Sequence, residues 1–556
     1  MTDPLATIST RRTPQTEQAD ERQAKNHAGG FTFTADDDTR LRRFLTLGSA
    51  GGTYYTGERE LTKDNAGIVL DAARHRTSDL VSMVVEISTA GRAPKQNPAL
   101  FALAAAAKLG DDEGRKVAHA AVPLVARTGT HLFLFARYLE QFGGWGRGSR
   151  RAIANWYADP ERPVGQVAYQ AVKYQQREGW THRDLLRLSH PKTDEPARRQ
   201  LFDWISGRDA ELDGLAIVSA YERAQAATSA AEVVFIIGSG VGLSWEMIPD
   251  RFLNEPAVWE ALVAKGVPQT ALMRQLPRLT KLGLLSPLGS LTSTVTAQLI
   301  DPERLRKARV HPVNVLVAQR TYASGQSARG TGEWSPSRPV VDALDAAFYA
   351  AYGAIEPTGK RLMLALDVSG SMSFNPISGM PITPREASAA LALVTAATES
   401  AYEIVGFTAG AATQGRIQYR RGMAYGGSAN MLREDIELTP LAISPRQRLD
   451  DAIQAVSNLP FGGTDCALPM IHAERNGLAV DTFVIYTDNE TWAGQTHPHE
   501  ALASYRRASG IDARLVVVGM TATEFSIADP TDPGMLDVAG FDSAVPGLIS
   551  DFARGL

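Results

Sequence analysis

Residues 361–371 read Arg361-Leu-Met-Leu-Ala-Leu-Asp367-Val-Ser369-Gly-Ser371. A short, unbroken apolar run bounded upstream by Thr358-Gly359-Lys360 reads as a strand buried on both faces. Downstream, helical spacing at Pro384 to Ser400, Leu449 to Leu459 and Pro498 to Ser509 alternates with strand-like Tyr402 to Phe407, Asp481 to Tyr486 and Ala513 to Val518. That alternation predicts a doubly wound α/β domain over 361–556, its parallel sheet covered on both faces. In open α/β sheets ligands bind outside the carboxyl ends of the strands, and Asp367 falls at such an end.

Two further groups share that edge. Gly462-Gly463-Thr464-Asp465 joins a hydroxyl to a carboxylate, and Asp488 follows the strand at Asp481 to Tyr486. Asp367 and Asp488 with the hydroxyls of Ser369, Ser371 and Thr464 form an oxygen-only donor set. Such a set suits a hard divalent cation, Mg²⁺ first, which keeps several waters and leaves a position for a carboxylate from a protein partner. Asp-x-Ser-x-Ser alone also reads as loop capping, because Asp and Ser often cap a helix. Thr464 and Asp488 at matching strand ends weigh toward the metal. No catalytic group assembles. An aspartyl-phosphate enzyme wants a second carboxylate where Ser369 stands. Val368 and Gly370 do not make a nucleophile elbow around that serine. Nothing in the sequence positions His472 or His497 as a base. The expectation is a protein that is not an enzyme.

Residues 1–27 are polar, with mixed charge and few large apolar side chains, and read as a disordered arm. Residues 28–360 carry repeated amphipathic helices: Asn65 to His75, Asn97 to Lys108, Arg115 to Arg127, His131 to Gln141 and Val164 to Arg177. So many short helices with almost no strand signal predict a solenoid of stacked helix pairs, although no clean repeat period is visible. Val233-Val-Phe-Ile-Ile-Gly238-Ser-Gly240-Val-Gly242 imitates a dinucleotide loop, but Leu243 occupies the place of the third glycine, so a turn between helices is the better reading.

Composition narrows the classes. The longest apolar run, Ala99 to Ala107, has nine residues, far short of the ~20 a membrane helix needs. The N-terminus lacks the apolar core of a secretory signal. A single cysteine, Cys466, permits no intrachain disulfide and no Cys-rich zinc site, and fits a reducing, cytoplasmic setting. The net charge of −4 conceals a division: residues 361–556 hold 13 Lys and Arg against 22 Asp and Glu, whereas residues 1–360 hold 44 against 39. The basic excess concentrates between Arg147 and Lys192, with nine Lys and Arg against four acids, plus His182 and His190. Arg147, Arg150, Arg151, Lys173, Arg177, Arg183 and Arg187 alternate with Trp145, Trp156, Tyr157, Tyr169, Tyr174 and Trp180. Basic groups for phosphates and aromatics for bases are what RNA contact requires. The plain alternative is a solvated helix face with the aromatics as core, and burial is the expected fate of Trp156. Spacing of four predicts that Lys173 and Arg177 share a helix face, as do Arg183 and Arg187.

These strings resemble the Ro autoantigen family, whose helical part is the TROVE module. The matching text is GWGRG from Gly144, ANWY from Ala154 and AYQAVKYQQREGWTHRDLLRLSHP from Ala168. Gly51-Gly-Thr-Tyr-Tyr, Ala343-Leu-Asp-Ala-Ala-Phe-Tyr349, Gly462-Gly-Thr-Asp-Cys-Ala-Leu-Pro-Met470, Thr487-Asp-Asn-Glu-Thr491 and Phe525 to Asp542 match as well. The resemblance implies a ring of HEAT-like helical repeats followed by a von Willebrand factor A domain with a metal-ion-dependent adhesion site. It implies binding of small Y-like RNAs on a basic outer face and of misfolded RNA 3′ ends in the hole. In bacterial members it implies association with an exoribonuclease. By position, Lys173, Arg177 and His190 match RNA-contacting residues, and Asp367, Ser369, Ser371, Thr464 and Asp488 match the metal site. The sequence departs from animal members at Gly238 to Gly242 and after Phe407, where Thr408-Ala-Gly replaces a more acidic loop. A metal-dependent protein–protein adaptor with a peptide-binding solenoid is the second reading.

Overall fold

The computed structural model describes residues 12–49, 56, 58–327, 331–353, 355–374, 376–377, 380–408, 438–441, 443–444, 447–457 and 463–555. The chain divides into two compact units: residues 67–351, and the N-terminal segment through 66 together with residues from 352 onward. The strands are β1 (Gln23–Lys25), β2 (Phe31–Thr34), β3 (Gln176–Arg177), β4 (Trp180–Thr181), β5 (Leu362–Asp367), β6 (Tyr402–Phe407), β7 (Thr439–Pro440), β8 (Thr482–Thr487), β9 (Arg514–Gly519), β10 (Phe525–Ser526) and β11 (Met535–Ala539).

A six-stranded sheet in the order β11-β9-β8-β5-β6-β7 organises the α/β unit. All its pairings are parallel except that of the edge strand β7. Every residue of β5 and β8 is buried, as a strand covered on both faces demands. Strand order runs one way from β5 to β6 and the other way from β5 to β8, so the C-terminal end of β5 is the switch point where such sheets bind ligands. Helix Pro384–Thr398 starts on a Thr383–Glu386 capping box, and its residues 384–396 are buried. The expected strands and helices of 361–556 are present within two residues of their sequence positions, with residues 458 and 459 of the helix expected over Leu449 to Leu459 lying outside the described residues. Strands β7, β10 and β11 and helices Leu468–Asn476 and Val545–Arg554 were not anticipated.

Two expectations about the N-terminal part are overturned. Residues 12–27 are not a disordered arm. β1 pairs with β2, and β2 pairs with β10, in a small antiparallel sheet within the α/β unit. Polar composition misled because the polar groups are buried and satisfied: Gln15, Gln23 and Asn26 are each at most 6% exposed. Helix Asp37–Leu47 belongs to the same unit, so the helical unit does not begin at residue 28. Its Arg43 is fully buried, donating to the carbonyls of Thr523 and Phe525 at 2.7 Å and pairing with Asp537 at 2.6 Å.

The other unit is the expected helical array. Helix Thr77–Ala90 packs on Asp112–Val125, which packs on Arg147–Ala158, while Asn97–Leu109 packs on Gly129–Gln141. This every-other-helix contact is the ladder of a solenoid. Val233 to Gly238 is helical, and Gly240 and Gly242 turn the chain with positive φ, as the turn reading required. Helix Val164–Lys173 stops four residues before its expected end at Arg177. Glu178 and Gly179 both take positive φ and form the two-residue loop of a β3–β4 hairpin, the geometry of a type I′ turn. The array closes on itself: His311 Nε2 donates to the carbonyl of Arg92 at 3.1 Å, while its Nδ1 accepts from the N–H of Val313. Gly91, in left-handed conformation, lets Arg309 pack alongside.

Burial holds three histidines of this unit neutral, His311 with its pKa pushed down to about 3 and His131 and His182 to about 4. Below the ordinary value of 6.5 the unfolded chain takes up protons that the folded unit refuses. Their contribution is therefore intact above that pH and falls away toward pH 4, by about 2 kcal/mol per histidine at pH 5. Urea denaturation of the helical unit should show a clearly lower midpoint at pH 5 than at pH 7, and replacing His311 by Gln should shrink the difference. Equal midpoints would mean that these imidazoles titrate freely.

Candidate metal centre and nucleic-acid interface

Asp367, Ser369, Ser371, Thr464 and Asp488 are all buried, none more than 4% exposed. Asp367 Oδ1 accepts the N–H of Ser369 at 2.9 Å and Oδ2 accepts the hydroxyl of Thr487 at 2.8 Å. The hydroxyls of Ser369 and Ser371 lie 3.0 Å apart, and Ser371 bonds to Asp488. Trp492 and Ala493 donate their N–H groups to the Thr464 carbonyl, tying its loop to the one that carries Asp488. Burial raises the pKa of both carboxylates, and the charge of Asp367 adds to the effect on Asp488. Arg385 opposes this at Asp367, and it donates to the carbonyls of Val368 and Ser369.

This arrangement fits a divalent cation. The charge of buried Asp367 raises the proton affinity of buried Asp488, Arg385 offsets the charge of the two carboxylates only in part, and the buried Thr464 Oγ1 has no hydrogen-bond partner among the described residues. Among those residues no cluster of three or more His, Cys, Asp or Glu side chains could hold a metal. Two acids and three hydroxyls would hold one loosely, with water completing the shell.

Sequence reasoning missed the groups that hold these loops. Gln15 donates to Asp465 Oδ1 at 2.7 Å and to the Thr496 carbonyl at 2.8 Å, and accepts from the hydroxyl of Thr491 at 2.5 Å. Asn26 donates to the Thr491 carbonyl, and His27 pairs with the buried Glu490 at 2.8 Å. A Cβ on Gly30 would stand 2.0 Å from the Thr491 carbonyl oxygen, so only glycine fits there. His497, once weighed as a base, is occupied by Gln23 and the Glu17 carbonyl. His472 is held by Asn476. The TDNET string was the one available signal for the 487–491 loop, and nothing local marked its partners.

The basic stretch divides on inspection. Arg147, Arg150 and Arg151 are exposed on helix Arg147–Ala158, and Arg183 and Arg187 on one face of helix His182–Ser189. Among the described residues none of the five makes an ion pair. His190 is exposed at the C-cap of the second helix, in left-handed conformation. Arg177 is exposed on β3, donating only to the Gln176 carbonyl, so it shares no helix face with Lys173. The Lys173 side chain is only 8% exposed: its Nζ lies 3.6 Å from Glu246 and over the rings of Tyr169 and Tyr174. His182 is a buried neutral ring with its Nδ1 2.6 Å from the Tyr157 hydroxyl and adds nothing to the basic surface. Trp156, Tyr157 and Trp180 are core, as the plain reading had it for Trp156. Trp145 stacks on Trp180 with centroids 5.2 Å apart and is half-buried.

Comparison with known proteins agrees with this two-part layout. The TROVE domain family model matches residues 24–321, and the Ro60 vWA domain model matches residues 361–553. The chain is similar to RNA-binding protein RO60 of Deinococcus radiodurans, 40% identical over 558 residues and 99% of each chain. It is also similar to RNA-binding protein RO60 of Caenorhabditis elegans, 34% identical over 97% of this chain and 91% of that one. A crystal structure of the Deinococcus radiodurans RO (RSR) protein superimposes with a TM-score of 0.68 at 39% identity, covering 94% of this chain and all of that one. No described helix is long and apolar enough to cross a membrane.

The N-terminal segment yields a stability prediction. Gln15→Ala removes a buried amide and with it three side-chain hydrogen bonds, to Asp465 Oδ1, to the Thr496 carbonyl and from the Thr491 hydroxyl. The expected loss is about 2–4 kcal/mol of α/β-unit stability, at roughly 0.5–1.5 kcal/mol net for each of the three hydrogen bonds. Denaturant titration of the variant checks this, and an unchanged midpoint would restore the free-arm description.

Proposed function

The chain belongs to the Ro family through both its TROVE and its vWA parts, and from that membership we propose that it is a noncoding-RNA-binding protein, a scaffold for RNA processing or quality control. The observation that carries the reading is the group of unpaired, exposed arginines Arg147, Arg150, Arg151, Arg183 and Arg187, joined by Arg177 and His190. A structural role would have given these guanidinium groups acids to pair with. Left open, they attract phosphates, and each contact releases a condensed counterion. The RNA is a small, structured, Y-like species read by its backbone and shape, and single-stranded 3′ ends of misfolded RNAs are a second ligand. Lys173 contributes less than its position suggests, because Glu246 already neutralises it. An exoribonuclease joins through the bound RNA and performs the chemistry that this chain does not.

The Asp367 centre has a separate task. A bound divalent cation, Mg²⁺ by donor chemistry, would supply a Lewis-acidic position open to a carboxylate from a protein partner. Asp367, Asp488, Ser369, Ser371 and Thr464 would hold the ion. RNA and protein partner thus use different units.

Neutralising Arg183 and Arg187 together to Gln should weaken binding of a small structured RNA and lower the salt slope of log K by about 2, just under one unit per phosphate contact. Unchanged affinity and slope would remove these residues from the interface. Asp367→Ala, once a thermal melt shows it folded, should lose the stabilisation that Mg²⁺ gives the wild type. Its RNA affinity should stay within about threefold, ~0.7 kcal/mol. A tenfold loss of RNA by the folded variant would mean that the centre takes part in RNA binding.

A further inference from the structure

Beside the basic surface, the helical unit contains a pocket of about 530 Å³, lined by Arg127, Arg162, Gly165, Gln166, Tyr169 and Gln170. Its two arginines are more than half-buried, and among the described residues neither has a carboxylate within ion-pair distance. Arg127 donates to the Ser88 hydroxyl and the Leu124 carbonyl. Arg162 lies over the Trp156 ring at 4.4 Å, donates to the Pro123 carbonyl at 3.5 Å and feels Asp159 only at longer range. Burial and the charge of Arg309 bring the Arg127 pKa down to about 10. Two guanidinium groups are thus held partly desolvated on neutral oxygen acceptors, with no carboxylate within ion-pair distance among the described residues, an arrangement that a bound anion would stabilise. Gly165 and Gln166 belong to the first turn of helix Val164–Lys173, whose N-terminus has no side-chain cap, so the helix dipole adds to the positive potential.

The rest of the lining is chosen for a different part of a ligand. Tyr169 gives an aromatic wall. Gln166 is exposed and, among the described residues, its amide has no partner, while the Gln170 amide uses its carbonyl oxygen on the Gly129 N–H. Amides beside a ring are suited to a flat heterocycle with donors and acceptors on its edge. An inorganic phosphate would leave most of the volume empty, and a nucleobase alone would leave the arginines unpaired. We propose that this pocket is a nucleotide subsite, taking a phosphate between Arg127 and Arg162 and its base against Tyr169, Gln166 and Gln170. The Tyr169 hydroxyl also reaches Lys173 Nζ at 3.4 Å, which links the pocket to the basic surface. The nucleotide is either free or one unit of a single strand.

Gly165 provides a clean test, because a Cβ there meets nothing within 4 Å and its φ is not positive. Gly165→Glu puts an acid into the pocket at a helix position that favours one. Full-length wild type, Gly165→Glu and Gly165→Ala are titrated calorimetrically with AMP, adenosine, inorganic phosphate and single-stranded octa-adenylate. AMP should bind the wild type at least about tenfold tighter than adenosine or phosphate, lose at least about tenfold in Gly165→Glu, and change less than about twofold in Gly165→Ala. Octa-adenylate that competes with AMP and weakens in Gly165→Glu identifies the ligand as a strand unit. Octa-adenylate indifferent to the substitution, with AMP still lost, identifies a free nucleotide. Failure of AMP to bind the wild type, or equal binding to wild type and Gly165→Glu, overturns the proposal. The arginines at 147, 150, 151, 177, 183 and 187 are untouched, so failure here leaves the RNA-surface reading standing.

Discussion

Two carboxylates, Asp367 and Asp488, lie buried at the end of a parallel sheet whose central strands are themselves wholly buried. Placing negative charge in that environment is costly, and much of the α/β unit is arranged around it. Arg385 contributes its charge, and Thr487 and Ser369 supply hydrogen bonds to Asp367. The surrounding loops are fixed by Gln15, Asn26, His27 and Gly30. The N-terminal segment is therefore part of the support of the centre. The TROVE family match begins at residue 24, yet β1, β2 and helix Asp37–Leu47 pack in the α/β unit. The boundary between family domains and the boundary between compact bodies do not coincide.

The opposite charge balance of the helical unit follows the same physics in reverse. Its charged groups that serve structure are paired or bonded to backbone, as with Arg198, which is held by the carbonyls of Tyr157 and Arg162. Among the described residues, the exposed Arg147, Arg150, Arg151, Arg183 and Arg187 make no ion pair, and Arg127 and Arg162 of the pocket bond to a hydroxyl and to carbonyls but to no carboxylate. A nucleic-acid surface needs charge that is held in place and not already neutralised, and that distinguishes Arg183 and Arg187 from Lys173.

The sheet was legible because β5, β6, β8 and β9 are apolar runs separated by periodic helices, and because Asp367 and Asp488 close two of those runs. β7 and β10 have two residues each, too few to carry a period, and β11 is half-exposed with an acid at its centre. The role of residues 12–27 was hidden for a different reason. A glutamine at position 15 looks like a solvent residue until Asp465, 450 positions away, accepts its hydrogen bond. Helical periodicity across Val164 to Arg177 conflicts with local chemistry that is visible in the sequence, since Glu178-Gly179 is a usable hairpin loop. Aromatic interleaving suggested base stacking, but helix packing claimed Trp156, Tyr157 and Trp180 first. Exposed arginines were readable as charge, whereas the Glu246 partner of Lys173 could be found only in three dimensions.

The central claim is that RNA is held by the unpaired basic surface of the helical unit and not by the carboxylate centre. Ultraviolet crosslinking of the intact chain to its bound RNA, followed by mass-spectrometric mapping of the crosslinked peptides, measures this directly. Crosslinks concentrated in residues 144–190 are the predicted result. Crosslinks concentrated in residues 361–556 would contradict it.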